Sequence, residues 1–311
     1  MNILLLGKNG QVGWELQRSL APLGRVVALD RNGWPTGAAR RAGLTDSDLA
    51  LCGDLSQVSA LAATVQALRP QVIVNAAAYT AVDRAESEPE QAERINGEAP
   101  GVLAEAARDC NALLVHYSTD YVFDGTGTTP WHENDAPGPL SVYGRSKALG
   151  ERNILAAGCD HLIFRTSWVY AARGGNFAKT MLRLACERDR LSVIDDQFGA
   201  PTGAELIADV TAQAIARLQR GLAEGGVYHL APEGETTWHG YACHVIDHAR
   251  ARQPDRGWQV QTIDPIPTSD FPSPATRPHN SRLDTSRLQA AFGVHLPPWQ
   301  VGVERMLAEL V

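Results

Sequence analysis

Cysteine is sparse in this chain, and so is any excess of positive charge. The five cysteines, Cys52, Cys110, Cys159, Cys186 and Cys243, are odd in number, far apart and without a C-x-x-C pair. That spacing gives no disulfide framework and is the usage expected of reduced, mostly buried thiols in a cytoplasmic protein. No long hydrophobic run is present. The apolar N-terminal stretch ends at Gly7 and has no basic residues before it, so it reads as a buried strand, not a signal peptide or a membrane span. The net charge of -7 argues against a non-specific nucleic-acid surface, and an anionic ligand must be met by local donors. Internal repeats and low-complexity tracts are also missing. What remains is ordinary for a soluble globular protein: 44% hydrophobic and 20% charged residues in 311, enough for one large domain or two smaller ones.

Short apolar runs alternate with helix-like stretches over the first half. Asn2 to Leu6, Arg25 to Asp30, Val72 to Asn75, Leu113 to Tyr117 and His161 to Arg165 read as buried strands. Between them lie helical segments at Trp14 to Leu23, Ser56 to Leu68, Glu88 to Cys110 and Val142 to Ala157. This alternation predicts an α/β fold with a Rossmann-type, doubly wound parallel sheet. Residues 31–53 interrupt the rhythm as a surface insertion with room for a short helix. Beyond about residue 170 helices at Asn176 to Glu187, Ala204 to Gln219 and Trp238 to Arg252 mix with short strands, and Pro265 to Pro278 carries five prolines, so it is extended or looped. We therefore divide the chain into a dinucleotide-binding part, 1–170, and a smaller substrate-binding part, 171–311, interleaved with the last sheet strands.

The first strand runs into Gly7-Lys8-Asn9-Gly10-Gln11-Val12-Gly13 and then a helix. A glycine loop in that position lets the backbone approach a pyrophosphate and presents free amides at a helix N-terminus. Gly7 allows the tight turn, Gly10 the close approach with Gln11 and Val12 beside it, and Gly13 the packing of helix on strand. Asp30, ending the second strand, is placed to bond an adenosine ribose and favours NAD. Arg31 follows at once and could pair with a 2′-phosphate, so NADPH and NADH both stay open.

Tyr143 and Lys147 lie four residues apart at the start of a helix, on one face. An ammonium beside a phenol should pull its pKa down from about 10 and make it a proton donor near neutral pH. Alone this spacing is a weak signal; the glycine loop and the polar strand end Ser118-Thr119-Asp120 give it context.

Together these segments resemble the extended short-chain dehydrogenase/reductase superfamily and, within it, the dTDP-4-dehydrorhamnose reductase family. The narrower resemblance rests on Asn75 to Asp83, Ser118 to Gly125, Arg165 to Tyr170, Asp196 to Thr202 and Arg277 to Ser281 as well. It implies reduction of the C4 ketone of dTDP-4-dehydro-L-rhamnose by NADPH or NADH. Thr119 would hold the carbonyl oxygen, Tyr143 would protonate it, and Lys147 would bond the nicotinamide ribose. Tyr117, Asp54, Leu55, Ala78, Tyr79 and Thr80 would border the cofactor, with Asn96 supporting the site or simply the fold. Asp120, Tyr121 and Trp168 would meet the sugar, Trp168 stacking on the hexose. Related 4,6-dehydratases carry an Asp-Glu pair after the threonine. Tyr121 replaces the second carboxylate here, so elimination lacks its base while ketone reduction does not. The resemblance also implies a homodimer, with Mg²⁺ at the contact held by Glu15, Glu205 and Glu309 and no chemical role for it.

Two other readings have discriminating observations. Another nucleotide-sugar reductase or epimerase on this scaffold would, if an epimerase, recycle tightly held NAD⁺. A non-catalytic subunit resembling the beta subunit of methionine adenosyltransferase would bind a partner, against which intact Thr119, Tyr143 and Lys147 argue. His239, His244 and His248 lack further ligands by motif and read as structural, and Arg40-Arg41 as solvated insertion.

Overall fold

The computed structural model describes residues 1–33 and 51–310. In Asn2–Leu6 (β1), Ile3 and Leu5 point to one face of a sheet and Leu4 and Leu6 to the other, all buried. A strand apolar on both sides can only sit in the middle of a sheet covered on both faces. The chain then follows α1 (Gln11–Leu20), β2 (Arg25–Leu29), α2 (Val58–Leu68), β3 (Val72–Asn75), α3 (Ala99–Cys110), β4 (Leu113–Thr119), α4 (Val142–Ala157) and β5 (His161–Thr166). It continues through α5 (Phe177–Glu187), β6 (Arg190–Ile194), α6 (Ala204–Gln219), β7 (Gly226–His229), α7 (Trp238–Arg252), β8 (Thr262–Ile266), α8 (Ser286–Phe292) and α9 (Trp299–Leu310).

Six strands form one parallel sheet in the order β7-β5-β4-β3-β1-β2. Leu16, Leu20, Ile207, Ile215, Leu288 and Phe292 from α1, α6 and α8 pack on one face. Leu61, Val65, Leu103, Ala107 and Ile154 from α2, α3 and α4 cover the other. This is the doubly wound α/β architecture the alternation predicts. Strand order reverses between β1 and β3, which opens a crevice at the carboxyl ends of the strands, where such folds bind ligands.

β7 and α6 come from the second half of the chain yet complete the sheet and its helical cover. The remaining helices α5, α7 and α9 enclose a separate apolar cluster around Tyr241, Leu182 and Trp299. The proline-rich run begins in β8, where Pro265 stands opposite Val193 of β6. Among the described residues that ladder has only two strands, so Pro265 can leave its missing donor on the open side. The segment expected as one helix from Glu88 to Cys110 is instead Pro89–Glu93, a π-turn at Arg94–Glu98, and α3. Most of the 31–53 insertion, with Arg40-Arg41, lies outside the described residues.

Candidate active site

The crevice is a cavity of about 900 Å³. Gly7, Gly10, Gln11 and Val12 line one end; Tyr117, Thr119, Asp120, Tyr121, Tyr143, Lys147 and Trp168 line the other. Gly7 has φ +84, and a Cβ there would meet the Ala77 nitrogen at 2.7 Å. A Cβ on Gly13 would lie 2.1 Å from the Gly7 carbonyl oxygen, so Gly13 is where α1 presses on the loop. α1 has no side-chain cap at Gly10, and its first amides are left for a ligand.

At the adenosine end Asp30, Arg31, Asp54 and Leu55 line the cavity. The Asp30 carboxylate accepts from Asn9 Nδ2 at 2.7 Å and from the Asn32 amide at 2.8 Å, with Lys8 Nζ at 3.4 Å. Lys8 and Asn9 were not singled out from the sequence, although both sit inside the glycine loop. Burial raises the Asp54 carboxyl, but hydrogen bonds from Ser56 and Gln57, with Arg31 nearby, together hold it below its ordinary range.

Ala78 and Thr80 line the cavity after β3, but Tyr79 does not. Its hydroxyl donates to Glu88 Oε2 at 2.6 Å, and its ring packs on the apolar cluster of Ala85, Ala92 and Val142. Tyr79 is bound by its backbone instead: Asn96 accepts from its N–H at 2.8 Å and donates to its carbonyl at 2.9 Å. The same Asn96 amide donates to Ser146 Oγ at 3.0 Å. Asn96 therefore ties the β3 loop to α4, and the π-turn that carries it brings its side chain inward.

α4 starts at Ser141, whose hydroxyl accepts from the Gly144 amide at 3.1 Å, and stops at the left-handed Gly158. Gly144 and Gly150 let it approach the Tyr121 and Asn96 carbonyls, where a Cβ would come within 2.3 Å and 2.1 Å. This close fit buries a polar face carrying Ser146, Lys147 and Glu151. Glu151 forms a buried bidentate pair with Arg165, at 3.0 Å to Nε and 2.7 Å to Nη2, and accepts from Ser118 Oγ.

Thr119 Oγ1 donates to Asp120 Oδ1 at 3.0 Å and accepts from the Tyr121 amide at 3.2 Å. Burial pushes the Asp120 carboxyl up to about 6, against the hydroxyls of Ser281 and Thr119. Tyr121 meets Tyr143 edge to face, with ring centroids 5.5 Å apart. The Tyr143 phenol is pushed up to about 12, by burial first, with the Thr119 hydroxyl opposing and Asp120 adding to the rise. The depression expected from Lys147 is not found. Lys147, only 1% exposed, turns its Nζ to the Tyr117 carbonyl at 2.6 Å and to His116 Nε2 at 3.1 Å. Burial lowers its own pKa to about 8, partly countered by Glu151.

Trp168 has φ +49, a conformation costly for a bulky residue and found where the surroundings enforce it. Its indole stacks on Trp238 at 3.7 Å between ring centroids, and a Cβ on Gly199 would strike it at 2.9 Å. Trp238 also lines the cavity and donates from Nε1 to Gln197 Oε1 at 3.1 Å. The sequence placed Trp238 only as the first residue of an amphipathic helix. Arg277 reaches back to Asp83 at 2.8 Å, joining the segment after β8 to the short helix Val82–Ala85 that follows β3; nothing local announces a pair that distant.

Glu15, Glu205 and Glu309 border a separate pocket of about 170 Å³. Glu205 is paired with Arg305 at 2.9 Å and Glu15 with Arg18 at 3.6 Å. Burial, with Glu15 and Glu309 nearby and Arg305 opposing, raises the Glu205 carboxyl. Among the described residues no three His, Cys, Asp or Glu side chains converge closely enough to hold a metal ion. His244 and His248 face Glu304 at 3.5 Å and 3.9 Å, and His239 contacts the Ile263 carbonyl at 3.0 Å.

A parallel sheet with a glycine loop at its reversal point, and a Thr-Tyr-Lys group beside that loop, defines the extended short-chain dehydrogenase/reductase class. The model of the RmlD substrate binding domain matches residues 1–311. The dTDP-4-dehydrorhamnose reductase of Shigella flexneri is 54% identical over 310 residues, covering 100% of this chain and 98% of that one. Among solved structures, a dTDP-4-dehydrorhamnose reductase from Clostridium acetobutylicum has a TM-score of 0.85 at 32% identity, covering 100% and 99% of the two chains. That of Bacillus anthracis, in complex with NADP, has a TM-score of 0.83 at 32% identity over 99% of each. The chain belongs to the dTDP-4-dehydrorhamnose reductase family.

Proposed function

We propose that this chain reduces the C4 ketone of dTDP-4-dehydro-L-rhamnose to dTDP-L-rhamnose with NADPH or NADH. The observation that carries this reading is the joining, in one crevice, of the glycine loop and Thr119, Tyr143 and Lys147, with Tyr121 where an elimination enzyme would need a second carboxylate. A bound reduced nicotinamide supplies the hydride. Thr119 donates a hydrogen bond to the ketone oxygen, exchanging its present bond to Asp120, and fixes the carbonyl beside Tyr143. Tyr143 gives its phenolic proton to that oxygen as negative charge develops there, so the ketone becomes an alcohol and the phenolate is left to be reprotonated. With cofactor bound, the Lys147 ammonium would hold the nicotinamide ribose and favour that phenolate. Trp168, backed by Trp238, offers a flat apolar face to the hexose and keeps water out of the reaction.

Parts of the reading concern the whole molecule. We place the enzyme in the cytoplasm, acting as a homodimer through the face that carries Glu15 and the half-exposed Trp14. No helix among the described residues is long and apolar enough to cross a membrane.

The test supplies dTDP-4-dehydro-L-rhamnose with NADPH or NADH, follows loss of the reduced-nicotinamide absorbance and identifies the product by NMR. Folded protein that oxidises neither cofactor would sink the assignment. Tyr143→Phe should bind cofactor normally and lose roughly 10²–10⁴-fold in kcat.

A further inference from the structure

Lys147 does not stand alone under the crevice. Its Nζ faces His116 Nε2 at 3.1 Å, and on the other side of the imidazole Nδ1 lies 3.2 Å from the Asn75 amide nitrogen. Asn75 in turn accepts from the Ala77 N–H at 3.2 Å, next to the glycine loop. All three side chains are about 1% exposed, and the register of β3 on β4 sets Asn75 directly opposite His116. Burial and the Lys147 charge hold the imidazole well below its ordinary pKa, so it is neutral and carries one hydrogen. The other charged groups around the lysine are Glu151, one turn along α4, and Arg165 from β5; these pair with each other. Tyr143 is the remaining titratable neighbour on α4, and Asp120 faces Tyr143 from the end of β4.

A neutral imidazole can satisfy a buried lysine in either charge state. When Lys147 is an ammonium, Nε2 must accept, the hydrogen sits on Nδ1, and Asn75 must turn its oxygen toward it. When Lys147 is an amine, the Asn75 amide donates to Nδ1 and Nε2–H donates to Nζ. The second arrangement is the one in which Asn75 Oδ1 takes the Ala77 N–H. In the first arrangement the Ala77 N–H gives up that acceptor, but in both the Lys147 nitrogen, the imidazole and the Asn75 side chain stay hydrogen-bonded to one another.

We propose that His116 is a positioning residue for the reaction: with Asn75 it forms a reversible hydrogen-bond chain that keeps Lys147 charged in a buried site and sets the pH at which that charge is lost. This rests on the reductase reading above, in which the lysine charge supports the Tyr143 phenolate. An apolar group in place of the imidazole penalises the ammonium more than the amine, because an unpaired buried charge costs more than an unpaired neutral group. The charge is then lost at lower pH, and activity with it.

The experiment compares kcat against pH for the native chain, His116→Phe and His116→Gln, with dTDP-4-dehydro-L-rhamnose and NADPH. In His116→Phe the alkaline limb should move down by about one pH unit, with KM nearly unchanged. His116→Gln, whose amide can also turn over, should restore the limb. Long-range ¹H–¹⁵N NMR of the native chain, with His116 assigned by its loss in His116→Gln, should show the imidazole hydrogen moving from Nδ1 to Nε2 as pH rises through the same limb. A folded His116→Phe enzyme with the native limb overturns the proposal, and so does an imidazole whose tautomer never changes. If His116→Phe does not fold, the NMR titration decides alone. A native chain that oxidises no cofactor refutes the reductase reading, and the NMR result on His116 still stands.

Discussion

Asp120→Asn should stabilise the folded chain at pH 7.5 and leave it unchanged at pH 3.5. The carboxyl is 2% exposed, and burial lifts it from 3.8 to about 6. A group whose folded pKa is raised holds its proton more tightly when folded. Its contribution is fully present below pH 3.8 and is lost as pH rises through about 6. The rise is about two units, and at about 1.36 kcal/mol per unit the ionised Asp120 costs roughly 3 kcal/mol at pH 7.5. Asparagine has nearly the shape of the protonated acid, keeps an oxygen for the Thr119 hydroxyl and carries no charge. Urea unfolding followed by tryptophan fluorescence, at both pH values, measures the difference. Equal gains at the two pH values would refute the electrostatic argument, and so would a less stable variant at pH 7.5.

Arg165→Met should cost about 3–5 kcal/mol in urea unfolding, because it leaves Glu151 charged and buried beside Ser118. Adding Glu151→Gln should recover much of that loss, and a double variant as unstable as the single would count against the pairing. Gly13→Ala puts a methyl 2.1 Å from the Gly7 carbonyl, so cofactor titration by fluorescence should show weakening of at least about tenfold; near-native affinity would contradict the close contact. Gly199→Ala pushes on the Trp168 indole at 2.9 Å and should raise KM for the sugar nucleotide several-fold while cofactor affinity stays the same, which steady-state kinetics will read directly.

The strands were legible because burial on both faces leaves a local mark: Asn2 to Leu6 reads as a central strand with no knowledge of its neighbours. Gly7, Gly10 and Gly13 were legible for a similar reason, since each glycine answers a contact within a few residues or one strand away. The spacing of Tyr143 and Lys147 placed both at the crevice, but it misjudged the chemistry between them. Proximity suggests a lowered phenol pKa, whereas burial raises it and the lysine turns to His116 and the Tyr117 carbonyl. The place of Tyr79 after β3 predicts that it borders the cofactor, but says nothing of the bond that its hydroxyl makes to Glu88. Asn75 with His116, Asp83 with Arg277, and Trp168 with Trp238 are pairs between residues far apart in the chain, formed only when strands and segments dock. Periodicity reports what a residue does for its own element and is silent about such partners.

The stacked indoles of Trp168 and Trp238 come from different parts of the fold: one follows β5, the other opens α7. Two identical chromophores 3.7 Å apart share their excited states. The native chain should therefore carry a paired band of opposite signs in the indole region of its circular dichroism spectrum, absent from Trp238→Phe. The band reads the distance between α7 and the sheet with no label attached. A sugar nucleotide that pushes the rings apart would weaken it, and one that settles on a fixed platform would leave it intact.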